Sequence, residues 1–136
     1  MVIWYVDTSA VVKLIRKEPE TAALRRWLRG KRWIGSDLLH TKLGRAVLRG
    51  GGPSDAQRAE RLLREIDLIT LSPELYDAAR DLEPATLRSL DAIHLTAALS
   101  LVDDLSGVVA YDSALLDAAR AVGGAVVAPG AQSGSR

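Results

Sequence analysis

The stretch VIWYVDTSAVVKLI, residues 2–15, decides the fold. Its first five residues form an apolar run rich in β-branched and aromatic side chains, which is typical of a strand, and the run ends at Asp7. Thr8 and Ser9 then supply hydroxyl groups that can cap a helix, and the apolar spacing from Val11 to Ile15 is helical. The stretch therefore predicts a strand, a tight turn and a helix, with a carboxylate at the carboxyl end of the strand.

The same alternation of strand and helix continues along the chain. Further strands are predicted near residues 31–35, 66–71, 107–111 and 125–128. Helices are predicted near residues 20–29 and 38–49, from residue 54, and near 73–82, 87–101 and 113–122, with Ser36 or Asp37 capping the one that starts at about residue 38. This order predicts an α/β fold, a parallel five-stranded sheet flanked by helices on both faces. We expect one domain over residues 1–128 and a disordered tail over residues 129–136.

The composition limits the classes of function. The chain has 136 residues, 48% of them hydrophobic, which is enough for one domain with a substantial core. It contains no cysteine, so a metal would need oxygen ligands or one of the two histidines, His40 and His94. The N-terminus enters a strand directly and no apolar run is long enough to span a membrane, so we expect a cytoplasmic protein without membrane contact. A formal net charge of +1 does not by itself indicate nucleic-acid binding.

Three aspartates occur where a parallel sheet would bring them together. Asp7 and Asp112 each follow a predicted strand, and ligands of such sheets gather at the carboxyl ends of strands, where the strand order reverses. Asp91 lies in an apolar helix, where an unpaired carboxylate is costly. If the first and fourth strands are neighbours, the three carboxylates meet, and a divalent cation would offset their repulsion. Oxygen ligands favour Mg²⁺ or Mn²⁺ and hydrolysis of a phosphodiester, with Ser9 supporting one of the carboxylates.

Each of these residues also has a simpler interpretation. Asp7 and Asp112 both precede a predicted helix, where aspartate is a common N-terminal cap. His94 faces the same side of its helix as Asp91, and a buried core histidine is commoner there than a metal ligand. Arg45 and Arg49 form a basic cluster that is either a solvated helix face or a guide for an RNA backbone.

Four segments together resemble a known family. They are VDTSAVVKL from Val6, SDLLHTKLGRAVLR from Ser36, LRSLDAIHLTAAL from Leu87 and YDSALLDAAR from Tyr111, in order and over nearly the whole chain. These segments are similar to the PIN-domain ribonucleases, and specifically to the VapC toxins of bacterial toxin–antitoxin pairs. The resemblance implies a PIN fold, an acidic site that holds Mg²⁺ or Mn²⁺, and endonucleolytic cleavage of RNA that inhibits translation and growth.

The resemblance also implies residue roles and partners. Asp7 matches the first acid of the family, Asp91 the third and Asp112 the fourth, and Asp7 and Asp91 are the expected principal metal ligands. Toxins of this kind form homodimers and are neutralised by a VapB antitoxin in heterotetramers or larger assemblies. The carboxyl-terminal segment of the antitoxin lies across the active-site groove, and operator DNA is contacted only through the antitoxin.

The chain departs from the family pattern at one acid. The resemblance places a glutamate in the third helix as the second acid, and the aligned residue here is Lys42. Glutamate to lysine changes the local charge by two units, and each unit interaction at about 4 Å is worth on the order of 4 kcal/mol at an effective dielectric constant of about 20. Our hypothesis is that the Lys42 ammonium pairs with Asp7 or Asp91, opposes and partly replaces the cation, and leaves a folded but catalytically weak protein. The alternative is that Lys42 simply extends to solvent.

Two other classes of protein share some of these features. A PIN fold that binds antitoxin or RNA without turnover would account for Lys42 directly. A phosphoacceptor receiver domain also alternates strands and helices, but it needs an aspartate after the third strand and a lysine after the fifth. This chain has Leu71, Ser72 and Pro73 after the third strand and no lysine after Lys42, which disfavours a receiver domain.

Overall fold

The computed structural model describes residues 2–131, apart from the side chain of Val102. The strands are β1 (Ile3–Val6), β2 (Trp33–Ser36), β3 (Leu68–Ile69), β4 (Leu105–Val109) and β5 (Val126–Val127). The α-helices of the described residues are α1 (Thr8–Ile15), α2 (Thr21–Leu28), α3 (Leu39–Gly50), α4 (Pro53–Glu65), α5 (Pro73–Arg80), α6 (Ser89–Leu99) and α7 (Ser113–Ala121). A short 3-10 helix, Val102–Asp104, leads into β4. None of the described helices is long and apolar enough to cross a bilayer.

The five strands form one parallel sheet in the order β3-β2-β1-β4-β5. The chain first extends the sheet from β1 through β2 to β3, and then returns to place β4 on the other side of β1. The strand order therefore reverses between β1 and β4, where Val6 lies opposite Val109. This confirms the predicted α/β fold and the adjacency of the first and fourth strands. It also puts a crevice for ligands at the carboxyl ends of these two strands.

Alternate residues of β1 and β4 lie on opposite faces of the sheet. Tyr5 and Val108 are buried in a core that they share with residues of α5, α6 and α7. Val6 and Val109 are buried in a second core, which they share with residues of α1 to α4. Because helices cover both faces, the sheet is the middle layer of an α/β/α sandwich, as predicted.

Two strands differ from their predicted extents. The sequence predicts the fourth strand over residues 107–111, whereas β4 spans Leu105–Val109. The ladder with β1 stops at Val109 because β1 ends at Val6 and α1 begins two residues later. Beyond that point the Tyr111 N–H donates to the Ser9 hydroxyl at 2.9 Å. The third strand is predicted over residues 66–71, but β3, an edge strand that pairs with β2, contains only Leu68–Ile69.

The predicted cap of the third helix is wrong. The N-cap residue of α3 is Leu38, and no side chain of the described residues forms a cap hydrogen bond there. Ser36 is the last residue of β2. The Asp37 carboxylate accepts hydrogen bonds from the Leu71 N–H at 3.3 and 3.4 Å, which ties the start of α3 to the segment after β3.

The beginning of the predicted tail contacts the domain. The Tyr111 hydroxyl donates to the Pro129 carbonyl at 2.6 Å, and the Ala131 N–H donates to the Ala128 carbonyl at 3.0 Å. Burial raises the pKa of Tyr111 to about 12, so this hydroxyl remains a donor at neutral pH. The remainder of the predicted tail, residues 132–136, lies outside the described residues.

Gly107→Ala is expected to lower the free energy of unfolding by about 1–3 kcal/mol. A Cβ atom at this position would lie 2.5 Å from the Ala125 carbonyl oxygen and 2.7 Å from Trp4 Cζ3, so β4 and β5 would have to separate. Gly44 is the matched control, because it lies inside α3 and an added Cβ would have no described atom within 4 Å other than its chain neighbours and the nearby backbone of its own helix. Gly44→Ala should raise the free energy of unfolding by about 0.5–1 kcal/mol. Urea unfolding measures both, and equal effects of the two substitutions would contradict the prediction.

Candidate active site

Asp7 lies at the carboxyl end of β1 and is the N-cap residue of α1. Its Oδ2 accepts hydrogen bonds from the Ser9 hydroxyl at 2.8 Å and from the Ser9 N–H at 3.2 Å. The same hydroxyl accepts a hydrogen bond from the Tyr111 N–H, just beyond β4. The predicted hydrogen bond from Ser9 to a carboxylate is therefore present, and Ser9 ties Asp7 to the end of β4.

The second oxygen of Asp7 faces His94. His94 Nε2 lies 3.1 Å from Asp7 Oδ1, which is an ion-pair distance but out of line for a hydrogen bond, and Nδ1 lies 2.8 Å from the Tyr5 hydroxyl. Burial lowers the pKa of His94, Asp7 partly offsets this effect, and Lys42 adds to the lowering. Burial also raises the pKa of Tyr5, which keeps its hydroxyl protonated. A neutral His94 that accepts from Tyr5 at Nδ1 carries its proton on Nε2, toward Asp7.

Asp91 and Asp112 approach the same end of the sheet from two helices. Asp91 lies in the first turn of α6 and is only 6% exposed. Burial raises the pKa of its carboxyl group, and the charges of Asp112 and Asp7 raise it further, against an opposite effect of Arg88. Asp112 is exposed, and its Oδ1 accepts from the Ala114 N–H at 3.0 Å as the cap of α7. Asp7 and Asp112 are thus near enough for their charges to affect Asp91, and the three residues form an acidic cluster in which Asp112 is also a helix cap.

A cavity of about 510 Å³ opens beside the acidic cluster. Asp7 and Asp112 line it together with three basic residues of α3, namely Lys42, Arg45 and Arg49. Ser9 lines the same cavity, whereas Asp91 lines a separate crevice of about 260 Å³. The structure therefore brings all but one of the predicted site residues to a single cavity. The exception is Asp91, whose carboxyl group is still affected by the charges of Asp112 and Asp7.

Lys42 does not form the ion pair expected from the sequence. Within residues 2–131, no carboxylate oxygen lies within 4.0 Å of the Lys42 ammonium. Asp7, one expected partner, is already held by Ser9 and faces His94. The charge of Lys42 nevertheless reaches the cluster, since it lowers the pKa of His94. The predicted pair with Asp7 or Asp91 is therefore wrong, and the opposition of Lys42 to a bound cation stays a prediction.

The acidic cluster suits a hard cation in its chemistry. Among the residues that the structure describes, no group of three or more histidine, cysteine, aspartate or glutamate side chains is arranged to hold a metal ion. Mg²⁺, however, keeps several waters and commonly uses only one or two carboxylates of the protein. Burial raises the pKa of Asp91, and the charges of Asp112 and Asp7 raise it further; a dication would relieve this repulsion between carboxylates. One or two carboxylates among Asp7, Asp91 and Asp112 therefore fit Mg²⁺ or Mn²⁺.

Tyr5 and His94 are residues of this site that the sequence did not predict. A signal for His94 existed, because it follows Asp91 by three residues and so shares a helix face with it. The simpler interpretation, a buried core histidine, is also correct, since His94 is only 4% exposed. The sequence contains little indication that Tyr5 belongs to this site, because strand alternation indicates only the face of the sheet on which a side chain lies. The other histidine, His40, is exposed and lines a different cavity, between α3 and α4.

Ser9→Ala is expected to lower the free energy of unfolding by about 1–3 kcal/mol, because it removes the acceptor of the Tyr111 N–H and a donor to the buried Asp7 carboxylate. Ser113 is the control, since it is exposed at the start of α7. Ser113→Ala should change the free energy by less than about 0.5 kcal/mol. Urea unfolding measures both variants, and a Ser9 variant as stable as the control would show that the bridge is unimportant.

The chain matches a known family along most of its length. The PIN domain family model matches residues 4–121. Ribonuclease VapC47 of Mycobacterium tuberculosis is 43% identical over 132 residues, which cover 93% of this chain and 97% of that relative. Ribonuclease VapC46 of the same species is 42% identical over 126 residues, covering 92% and 96%.

A solved structure supports the fold independently. The crystal structure of Mycobacterium tuberculosis VapC20, a sarcin-ricin loop cleaving toxin, matches with a TM-score of 0.65 at 16% identity, covering 85% of this chain and 94% of that one. At this identity the match concerns the fold alone. The sequence relatives carry the assignment further, because their identities exceed 40% over nearly the full length of both chains. The chain therefore belongs to the PIN domain family and, within it, to the VapC ribonucleases.

Proposed function

We propose that this chain is an endoribonuclease toxin that cleaves RNA phosphodiesters with Mg²⁺ or Mn²⁺, and that Lys42 weakens this activity. The observation that carries the proposal is the crowding of carboxylates where the strand order reverses. Asp7 follows β1 and Asp112 follows β4, and burial, together with the charges of Asp112 and Asp7, raises the pKa of Asp91. Such perturbed acids at a topological switch point are typical of a catalytic site. The relatives named ribonucleases support RNA as the substrate class.

The residues of the chain would have separate roles in this reaction. Asp7 and Asp91 would hold the cation, with Asp112 beside them. When bound, Mg²⁺ or Mn²⁺ stabilises negative charge on the phosphodiester and makes a water more nucleophilic. Ser9 fixes the orientation of Asp7 through its 2.8 Å hydrogen bond. The basic residues of α3 attract the RNA backbone toward the acids from the wall of the same cavity.

A second candidate function is a PIN-fold module that binds antitoxin or RNA without turnover. The Lys42 ammonium favours this second candidate, because it lines the cavity at the position where the family pattern has an acid. The two candidates differ in turnover and share the capacity to bind, so an assay of cleavage separates them.

We also propose that the chain acts in the cytoplasm as a homodimer paired with a VapB-type antitoxin, in a heterotetramer or larger assembly that contacts operator DNA through the antitoxin. A cavity of about 570 Å³ beside the starts of β2 and β3 suits part of such a partner. Leu14 and Leu62 contribute apolar surface to it, and Arg25, Arg58 and Arg61 contribute positive charge. This combination fits an amphipathic segment with acidic residues.

Cleavage of RNA by the purified chain tests the proposed function. We expect weak endonucleolytic cleavage with Mg²⁺ or Mn²⁺ that excess EDTA or Asp7→Asn abolishes. Asp77→Asn, an exposed change of the same kind on α5, should leave cleavage at the parent level. Cleavage that persists in EDTA or in Asp7→Asn would overturn the metal-dependent mechanism. If neither the parent nor Lys42→Glu cleaved RNA, the binding module would be the correct function.

A further inference from the structure

Three basic side chains of α3 share one face of the helix. Lys42, Arg45 and Arg49 are separated by three and four residues, the spacing at which helical side chains are neighbours. All three line the cavity of about 510 Å³ beside the acidic cluster. Their three positive charges outnumber the two carboxylates, Asp7 and Asp112, that line the same cavity.

The acids of this cavity do not neutralise these cations. In the described part of the chain, Lys42, Arg45 and Arg49 have no ion pair at 4.0 Å or less and no side-chain hydrogen bond. Both aspartates are engaged elsewhere, one by its neighbour Ser9 and the other as the cap of α7. An ammonium with three donors and two guanidinium groups with five donors each therefore line the cavity without an acceptor among residues 2–131.

We infer that Lys42, Arg45 and Arg49 bind the phosphodiester backbone of single-stranded RNA in this cavity without a metal ion. The inference rests on the proposed function in taking RNA as the ligand. A glutamate at position 42, as in the family pattern, would repel a phosphate unless a cation stood between them. Lysine contacts the phosphate directly, so the substitution that weakens cleavage strengthens metal-free binding.

A phosphodiester backbone fits this cavity better than an acidic peptide does. Lys42 and Arg49 are seven residues apart, which is about 10 Å along the helix axis, enough to contact more than one phosphate of a strand. The arginines can each bind a phosphate through two parallel hydrogen bonds. The cavity also adjoins the carboxylates at which a scissile phosphate would be cleaved.

Fluorescence anisotropy with a labelled single-stranded RNA in excess EDTA tests this inference, because metal-dependent cleavage cannot occur there. The parent is expected to bind, Lys42→Met to bind about tenfold more weakly, and Lys42→Arg to bind like the parent. The slope of log affinity against log salt should fall by about 0.7 for each phosphate contact removed, so Arg45→Gln/Arg49→Gln should lose about twice as much slope as Lys42→Met. Arg64→Gln removes one charge from α4, outside the cavity, and should keep the parent affinity.

Four outcomes would overturn the inference. The first is RNA binding that requires Mg²⁺, and the second is a properly folded Lys42→Met variant that keeps the affinity and salt slope of the parent. The third is a loss of RNA affinity in Arg64→Gln equal to that in Lys42→Met. The fourth is displacement of RNA by polyglutamate as effectively as by unlabelled RNA. The last would assign the cavity to an acidic peptide. A chain that binds RNA in EDTA but never cleaves it, even as Lys42→Glu, supports the inference and contradicts the proposed function. A chain that cleaves RNA but whose RNA affinity does not depend on Lys42 supports the proposed function and contradicts the inference.

Discussion

Lys42→Glu is expected to raise the single-turnover rate of Mg²⁺- or Mn²⁺-dependent RNA cleavage by about 100-fold or more over the parent chain. The substitution removes a cation from the cavity wall and adds a carboxylate to an acidic cluster that lacks a three-ligand group among the described residues. Lys42 is near enough to matter, because its charge lowers the pKa of His94. Each unit interaction at about 4 Å is worth on the order of 4 kcal/mol at an effective dielectric constant of about 20, and about 1.4 kcal/mol corresponds to a tenfold change in rate. A change of two charge units at position 42 can therefore account for a roughly 100-fold increase in rate, even if only part of this interaction energy lowers the barrier.

Two further variants separate the contributions of charge and ligand. Lys42→Met removes the opposing charge without supplying a ligand, so its rate should lie between those of the parent and Lys42→Glu. Arg45→Glu is the matched charge reversal, three residues along the same face of α3, and it should not activate cleavage. Adding Asp7→Asn to Lys42→Glu should remove the gained activity. If Lys42→Glu were no faster than the parent, or if Arg45→Glu activated cleavage as strongly, Lys42 would not be what limits the reaction.

The meeting of Asp7 and Asp112 follows from features that are local in the sequence. Each aspartate comes shortly after an apolar run that forms a central strand, and parallel strands direct their carboxyl ends to one edge of the sheet. The extents of the strands were less predictable, because they depend on the partner strand. β4 ends at Val109 because β1 offers no further partner beyond Val6, although the apolar run continues through Ala110 and Tyr111.

The contact between Tyr5 and His94, beside Asp7, depends on tertiary packing that no local pattern encodes. Tyr5 and His94 are 89 residues apart, and their hydrogen bond forms because α6 packs on the face of the sheet that Tyr5 serves. The predicted ion pair between Lys42 and Asp7 was wrong because it rested on charge alone. Ser9 is only two residues from Asp7, so its hydrogen bond to one carboxylate oxygen orders little more of the chain. A lysine that paired with the same oxygen would lose the conformational entropy of its long side chain.

Asp91→Asn is expected to stabilise the folded chain at neutral pH and to abolish its response to a metal ion. Burial and the charges of Asp112 and Asp7 raise the pKa of Asp91. Because the folded pKa lies above the unfolded value, the protonated group favours folding and the ionised group opposes it. This destabilisation is absent below the unfolded pKa of about 3.9, grows as the pH rises toward the folded pKa, and is complete above it. Asparagine is neutral at every pH, so the variant should lack this loss of stability.

Urea unfolding between about pH 4 and pH 7 measures the difference, and the two stability curves should converge at the acid end. A cation that binds the native state raises its stability by mass action, so Mg²⁺ or Mn²⁺ should raise the unfolding midpoint of Lys42→Glu but not that of Lys42→Glu/Asp91→Asn. The double variant should also lose RNA cleavage. Asp77→Asn, exposed on α5, should alter neither the pH dependence nor the metal response. If Asp91→Asn were less stable than the parent at pH 7, burial and charge repulsion would not be destabilising the ionised Asp91. A metal response that persisted without the Asp91 carboxylate would show that this residue does not hold the cation.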